Sequence, residues 1–411
     1  MKALIQKLKD SGPAAIITSA FIGPGTIIVS TKVGMTFGFS LLWATIFAVI
    51  ALILLMETAS RIAIVTHKDL IEAIIDVFPK STLWKRFIQV LMLLAVLTIC
   101  FAFQTGNLTG GALGLADIFG IGTTPVVLGM TVIVLAVTLL GSTRSLEFIM
   151  KLFVGIMGFI FIFTMLVIKP NVGEMAAGLV PQLPEGSYVL TLALIGTTLI
   201  GINLILHSIT SKARWNRVEE LPVAKWDIGF NILIGGLITI SLVVTAATVL
   251  RGMPLSGHPA LAFTRSLEPV LGSYARVLGD LGLFAAGLSS AIAIPFTLKN
   301  ITTSVFGFSD GVHGKKANTL AVIVVIFGTL LSVTGTNPLQ IIITAQAVSG
   351  FFLPLITVLI LIVANNKTLL GEYRNNAIQN IVGVLVVVLT LLLGTNGIVQ
   401  AFNTLMKLLG N

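Results

Sequence analysis

An apolar stretch near the amino end contains the first residues that could bind a solute. Residues 20–32 read AFIGPGTIIVSTK, with Gly23, Pro24 and Gly25 at the centre. Proline removes a backbone donor and glycine relaxes the dihedral angles, so this sequence predicts an interrupted helix. A half-helix that begins there presents free backbone N–H groups and the positive end of its dipole, which suits an anionic group. A simple proline kink is the alternative.

A second stretch of this kind lies in the other half of the chain. The sequence GTTLIGINLILHS, residues 196–208, is rich in polar residues and contains Gly196 and Gly201. Interrupted apolar segments at matching positions in two halves indicate a transporter built from inverted repeats. Irregular backbone at membrane depth is tolerated only where it lines a cavity or contacts a ligand. We therefore predict a substrate site between the two interruptions.

Basic residues inside apolar segments also require an explanation, because an intramembrane charge is costly. Arg61 follows Glu57 by four residues, the spacing of a helical ion pair. Lys32 and Lys299 have no such local partner in the sequence. They are predicted to face the transport pathway, and the alternative is that they extend to the membrane interface.

Composition identifies the environment of these segments. Of the 411 residues, 56% are hydrophobic and 10% are charged, whereas a soluble domain needs about 25% charged residues. A water-soluble protein is thereby excluded, and an all-α polytopic membrane protein is predicted. Segments of about 20 apolar residues can each cross a bilayer. Eleven are predicted, at 13–36, 40–65, 86–114, 124–141, 148–169, 188–210, 226–250, 279–307, 318–335, 338–364 and 378–405.

The connecting segments predict the orientation of the chain. Lysine and arginine are concentrated in alternate connections, beginning with the amino-terminal segment MKALIQKLKDSG. By the positive-inside rule this terminus is cytoplasmic, in a plasma (inner) membrane. The same bias explains the net charge of +9 without a nucleic-acid partner. Cys100 is the single cysteine, so no internal disulfide forms, and the oligomeric state is left open.

Motifs in five of the spans point to a known family. They are FIGPGTIIVSTKVGMTFGFSLLW and RIAIVTHKDL near the first two spans, NLILHS in the sixth, FAAGLSSAIA in the eighth and AQAVSGFFLPL in the tenth. Together they resemble the natural resistance-associated macrophage protein (NRAMP) family of proton-coupled divalent-metal transporters. The resemblance implies a leucine-transporter-type fold with 5+5 inverted repeats, and alternating access around broken helices 1 and 6. One transporter domain over 1–411 is expected, with repeats at 13–169 and 188–364 and an extra helix at 378–405.

The metal-binding motifs of that family are changed in this chain. Where the family has Asp-Pro-Gly-Asn in span 1, residues 23–26 read Gly-Pro-Gly-Thr. Where it has Met-Pro-His in span 6, the alignment places Ile200, Gly201 and Ile202. The carboxylate, carboxamide and thioether ligands that the family uses at these places are therefore missing.

The family's coupling residues are changed as well. Two acidic residues of span 3 align with Gln104 and Asn107, and two neutral glutamines align with Lys32 and Lys299. His207 matches a family histidine and suits a proton acceptor. Lys32, Gln104, Asn107, His207 and Lys299 are thus the predicted coupling or pathway residues. For the polar side chains in span 3 and for His207, hydrogen bonding within the bundle is the alternative.

These changes predict the substrate. Transition metals prefer carboxylate, thioether or imidazole ligands, and Mg²⁺ prefers carboxylates, so we expect a small organic carboxylate or zwitterion, such as an amino acid or a cyclised derivative. H⁺ or Na⁺ is the expected coupling ion, with no cofactor and no enzymatic activity. A proton-coupled importer of Mn, Fe or Mg is the alternative function, and an ion channel is the alternative class. The predicted substrate-binding residues are Gly23, Gly25, Thr26, Ser30, Ile200, Gly201, Asn203 and Gln346.

Overall fold

The structure, a computed structural model, describes residues 12–77, 82–141, 143–253, 261–334 and 338–392, and these residues form helices and connecting segments without a strand among them. The helices are α1 (Pro13–Phe21), α2 (Pro24–Phe37), α3 (Leu42–Thr66), α4 (Leu70–Val77), α5 (Thr82–Phe119), α6 (Thr123–Leu140), α7 (Thr143–Val167), α8 (Val172–Ala177), α9 (Tyr188–Thr198), α10 (Gly201–Arg214), α11 (Leu221–Val249), α12 (Ala262–Ser266), α13 (Glu268–Leu271), α14 (Ala275–Phe306), α15 (Lys315–Val333), α16 (Pro338–Ala364), α17 (Lys367–Leu370) and α18 (Ala377–Leu392).

The described helices account for the predicted spans. Eight helical segments are long and apolar enough to cross a membrane, and α1 with α2 forms a ninth as a pair bent by 54°. Two shorter apolar helices, Gly155–Val167 within α7 and Ala377–Leu392, fall on the remaining two predicted spans. The predicted all-helical membrane fold is thereby confirmed. The amino-terminal segment 1–11 and the end of the eleventh predicted span, 393–405, lie outside the described residues.

Long helices pack closely where glycine faces a neighbour. The contact between α5 and α14 is the clearest case, because a Cβ added at Gly287 would lie 2.3 Å from the Cα of Gly111. One turn further along α5, a Cβ added at Gly114 would lie 2.1 Å from the carbonyl oxygen of Asp280. Small residues let membrane helices approach until their backbones touch. We call the contact formed by Gly111, Gly114, Asp280 and Gly287 the glycine seam.

The first helix is anchored from the other half of the chain. Asp227 of α11 accepts hydrogen bonds from the backbone N–H groups of Gly12 (3.2 Å) and Ala14 (3.0 Å), at the start of α1. These N–H groups have no partner inside their own helix. A side chain of α11 therefore serves as the N-cap of α1.

The predicted ion pair within α3 is present and extends to other elements. Arg61 Nε lies 3.1 Å from Glu57 Oε1, and both side chains are buried. Arg61 also donates to Asn375 Oδ1 at 2.7 Å, and Gln379 donates to Glu57 Oε2 at 2.6 Å. The pair thus joins α3 to the start of α18.

Candidate functional site

The first interruption lies between α1 and α2. Ile22 has φ −83° and ψ 71°, and Gly23 has φ −107° and ψ −176°, so neither residue is helical. Pro24 begins α2, a position where its missing N–H costs no helical hydrogen bond. The predicted break is therefore present, and with a bend of 54° it reorients the chain more than a gentle curve would.

The second interruption lies between α9 and α10, at Leu199 and Ile200, so its position differs from the glycines that predicted it. Gly196 is still helical and Gly201 is the first residue of α10. Leu199 has φ −86° and ψ 74°, close to the angles of Ile22. In both breaks, a residue with these backbone dihedral angles follows the first half-helix, and a residue in the extended conformation precedes the second half-helix.

Thr26 joins the two breaks. Its hydroxyl contacts the carbonyl oxygen of Phe21, at the end of α1, and the hydroxyl of Thr197, at the end of α9. On the other side, Ser290 Oγ of α14 lies 3.4 Å from the carbonyl oxygen of Ala20. The carbonyl groups left over at the end of α1 thus face hydroxyl groups from two other helices.

Gln346 of α16 lies between the two interrupted spans. A Cβ added at Gly25 would lie 1.8 Å from Gln346 Nε2, and one added at Gly196 would lie 2.3 Å from the carbonyl oxygen of Gln346. Gln346 is buried and its Oε1 has no hydrogen-bond partner among the described residues. The predicted substrate-site residue therefore contacts both interrupted helices.

Buried polar atoms without partners collect around these contacts. The Oδ1 of Asn107 lies 3.3 Å from a Cβ placed on Gly23, while its Nδ2 has no partner in the described part of the chain. A buried polar atom that lacks a hydrogen bond is costly, so these atoms point to a ligand or to water. Such atoms in the first and sixth spans and in their neighbours include Ser30 Oγ, Asn107 Nδ2, Thr198 Oγ1, Asn203 Nδ2 and Gln346 Oε1.

Two predicted pathway residues lie on other surfaces of the bundle. The stem of Gln104 packs against α15, since a Cβ on Gly328 would lie 2.6 Å from its Cγ, and both of its amide atoms are buried without a partner in the described part of the chain. Lys299 is buried, and its ammonium group donates to the carbonyl oxygen of Thr138 in α6 at 3.0 Å. Neither contact joins these residues to the breaks.

The other predicted residues belong to the two interrupted spans. His207 is fully buried in α10, with Nε2 3.4 Å from Ser211 Oγ and with Nδ1 unpartnered among the described atoms. Lys32 is half-buried in α2, eight residues after its start and so about 12 Å along the helix. Ile200 is buried within the break, and Gly201 packs against Ile356 of α16.

The polar side chains at the breaks are neutral. Thr26, Asn107, Asn203, Ser290 and Gln346 supply hydroxyl and amide groups, and each is buried. Over the described residues, no group of three or more His, Cys, Asp and Glu side chains is placed to hold a metal ion. Thr197 was not among the predicted site residues, although it is a polar residue two positions before the second break.

Solved structures with a similar fold include a manganese transporter. A crystal structure of the Eremococcus coleocola manganese transporter superposes with a TM-score of 0.78 at 19% identity, covering 94% of this chain and 85% of that one. MhsT in complex with L-phenylalanine superposes with a TM-score of 0.63 at 18% identity, covering 93% and 96%. Fold and interrupted helices together define an all-helical membrane protein with a leucine-transporter-type fold.

The family follows from the sequence comparisons. The model for natural resistance-associated macrophage protein-like proteins matches residues 14–400, and the chain belongs to this family. It is 25% identical over 393 residues to the divalent metal cation transporter MntH of Yersinia pestis (strain Pestoides F), which covers 93% of each chain. It is 27% identical over 397 residues to MntH of Aeromonas hydrophila, which covers 94% of each. The predicted family is confirmed, and these relatives favour the divalent-metal alternative over the organic substrate without deciding between them.

Proposed function

We propose that this chain is a secondary-active transporter that holds a small solute between the breaks of its first and sixth spans, and that works by alternating access. The observation that carries the proposal is the matched pair of interruptions at Ile22 and Leu199, with unpartnered polar atoms around them. Unsatisfied backbone at membrane depth is costly unless it contacts a ligand. An inner-membrane location with a cytoplasmic amino terminus is part of the proposal, as are repeats at 13–169 and 188–364.

For the substrate, the side chains at the breaks support a small organic carboxylate or zwitterion. The starts of α2 and α10 offer backbone N–H groups with the positive end of a helix dipole. Thr26, Asn107, Asn203 and Gln346 add donors and acceptors but no negative charge. Lys299 donates to the carbonyl oxygen of Thr138 and does not contact the breaks. The attraction for a carboxylate therefore depends on the helix ends.

A divalent metal ion is the second candidate, and the comparisons support it better. The relatives are named divalent metal cation transporters, and the superposed Eremococcus protein is a manganese transporter. The oxygen atoms at the breaks are carbonyl, hydroxyl and amide groups, which suit a hard cation that keeps part of its water shell. This candidate implies proton-coupled import of Mn, Fe or Mg. The described side chains at the breaks include no carboxylate that would neutralise the charge of the ion.

Ligand-induced stabilisation separates the two candidates. Purified protein is melted with Mn²⁺, Fe²⁺ or Mg²⁺, and separately with single amino acids and cyclised amino acids. A ligand at about 100 times its dissociation constant stabilises the native state by about 2.7 kcal/mol. We expect a shift with a carboxylate and none with the metals. Asn203→Ala and Gln346→Ala should abolish it, whereas Thr131→Ala, in a hydroxyl pair between α6 and α15, should keep it.

Uptake into proteoliposomes completes the test. Labelled Mn²⁺ that enters vesicles with the transporter, and not empty vesicles, would establish the second candidate. Organic-substrate transport would then be rejected if no tested carboxylate competed with that uptake. Single-channel currents far above carrier turnover would instead reject the carrier mechanism itself.

A further inference from the structure

A buried carboxyl group without a hydrogen-bond partner among the described residues lies outside the breaks. Asp280, in the first turns of α14, is fully buried, and neither carboxyl oxygen has a hydrogen-bond partner among the described residues. Its own carbonyl oxygen forms part of the glycine seam with Gly114. Among the described side chains, only this aspartate or glutamate has both carboxyl oxygens buried and unpartnered.

The charges around Asp280 do not balance it. Asp117 of α5 and Arg276 of α14 are the charged groups close enough to act on Asp280. Arg276 is already bound to Asp117, with Nε 2.5 Å from Oδ2 and a second bond of 2.9 Å to the Asp117 carbonyl oxygen. An ionised Asp280 would therefore be a second carboxylate beside Asp117, buried and without a partner, which is unfavourable. The neutral, protonated form is the one that this environment favours.

The surroundings of Asp280 suit a proton better than a metal cation. A bound Na⁺ or Ca²⁺ needs several oxygen ligands at once. Here Asp117, the other carboxyl group that acts on Asp280, is engaged by Arg276, and the described residues place no group of three or more His, Cys, Asp and Glu side chains together. A proton needs only one carboxyl oxygen.

The position of Asp280 links outer water to the substrate site. The Asp117–Arg276 pair is partly exposed at the end of α14 that the charge pattern places outside. Gly287 lies two turns further along the same helix in the glycine seam, and Ser290 lies beside Gly23 at the first break. The ten residues from Asp280 to Ser290 span about 15 Å of helix.

We propose that Asp280 is the residue that binds the coupling proton, which rests on the proposed function as a secondary transporter. A hydronium ion on the outer side gives up its proton, and an O–H bond forms on the Asp280 carboxyl group. The neutral group is tolerated in this buried position, while the Asp280 backbone packs in the closed glycine seam. When the proton leaves to water, the carboxylate must be hydrated, and the seam between α5 and α14 must open to admit that water. Proton occupancy is thereby coupled to the packing of a helix that contacts the first break.

Infrared spectroscopy of the purified protein tests the proton directly. The wild type should absorb as a protonated carboxylic acid at neutral pH, and this band should be missing in Asp280→Asn, which keeps the shape of the neutral acid. Asp76→Asn, which removes an exposed carboxyl group paired with Lys68 in another part of the fold, should retain the band. An unchanged band in Asp280→Asn would overturn the proposal. A wild type that melts higher in sodium than in choline chloride, with no such difference in Asp280→Asn, would overturn it in favour of a Na⁺ site.

Transport measurements test the coupling. Proteoliposomes are supplied with labelled Mn²⁺ and with a mixture of labelled amino acids as probes. In Asp280→Asn, an acid-outside pH gradient should no longer accelerate uptake, while exchange across equal pH continues. Acceleration that persists in the variant would overturn the proposal. If neither probe enters wild-type vesicles, the proposed substrates fail, while the infrared comparison still decides whether Asp280 holds a proton.

Discussion

At the scale of single residues, the site depends on how closely Gln346 approaches the start of α2. The space above Gly25 is occupied by the Gln346 amide, and Gly196 faces the Gln346 backbone. One glutamine therefore contacts both interrupted helices, and its fit requires that residues 25 and 196 have no side chain. The position of Gln346 could be matched by motif, but this contact could not be predicted, because it depends on how three distant helices pack.

We predict that Gly25→Ala destabilises the protein by about 1–3 kcal/mol, the usual cost of overpacking. The added methyl group would collide with Gln346 Nε2. Thermal unfolding measures the effect, and the double variant Gly25→Ala with Gln346→Ala should regain most of the loss.

Gly129→Ala is the matched control for that prediction. Gly129 is exposed on α6, and a Cβ there meets nothing within 4 Å. Alanine in an open helical position stabilises by about 0.5–1 kcal/mol relative to glycine. Equal destabilisation by the two alanine substitutions would contradict the proposed contact of Gly25 with Gln346.

At the scale of elements, the half-helices are restrained by groups from other spans. Asp227 of α11 caps α1, and Thr26 connects α2 to the end of α9. The sequence predicted the breaks because glycine and proline act locally. It did not predict the restraints, since nothing local relates Asp227 to a helix more than two hundred residues earlier.

Asp227→Ala should loosen α1 without unfolding the bundle. Removing an N-cap acceptor costs about 1 kcal/mol, and the freed N–H groups would favour conformations in which this end is hydrated. In a Cys100→Ser background, a reporter at Ala15→Cys, in the buried first turn of α1, should react faster with a soluble thiol reagent when Asp227→Ala is added.

Thr248→Ala controls for a general effect of truncating α11. Within the described residues, the Thr248 hydroxyl bonds only to the Val244 carbonyl oxygen of its own helix at 2.8 Å, so the reporter rate should stay the same. If both variants accelerated the reaction equally, Asp227 would not be the specific anchor of α1.

A second element-scale prediction concerns α4 and its pH dependence. Burial alone would raise the pKa of Glu72, but the hydrogen bond and charge of Lys212 in α10, with the Asp69 backbone N–H, hold the pKa below its usual value. A carboxyl group with a lowered pKa contributes stability above its unfolded value, and that stability is lost as the pH falls through the lowered value. In Glu72→Gln, the melting temperature should therefore fall less steeply than in the wild type as the pH is lowered.

Asp76→Asn is the control for this comparison. Asp76 pairs with Lys68 on the surface, where both side chains are substantially exposed, and such pairs contribute little. An acid limb that is equally steep in the wild type and in Glu72→Gln would show that Lys212 does not stabilise the ionised Glu72.

At the scale of the whole molecule, composition and apolar periodicity predicted the fold class and the membrane-spanning helices. The eleven predicted spans correspond to helices in the described residues because each one is set by its own local hydrophobicity. The family was recognisable from motifs around the breaks, and the profile match over 14–400 agrees. What could not be predicted was tertiary: Lys299 bound to α6, Gln104 packed on α15, and Asp280 buried where α14 packs against α5.

The orientation of the molecule can be tested with its single cysteine removed. Cys100 is buried, so Cys100→Ser provides a background for added reporters. Lys68→Cys lies in a connection predicted to be cytoplasmic, and Ile121→Cys lies in one predicted to be external. In intact cells, a membrane-impermeant thiol reagent should label Ile121→Cys alone. Labelling of Lys68→Cys alone would reverse the proposed topology.

The cap that Asp227 provides for α1 has a consequence for biosynthesis. Its two partners at Gly12 and Ala14 emerge from the ribosome 215 and 213 residues before it does. During translation, the first span therefore enters the bilayer with an incomplete start, and it gains its final hydrogen bonds only after the seventh span is inserted. Nascent chains arrested before α11 should expose this end of α1 to proteases, and chains arrested after α11 should protect it.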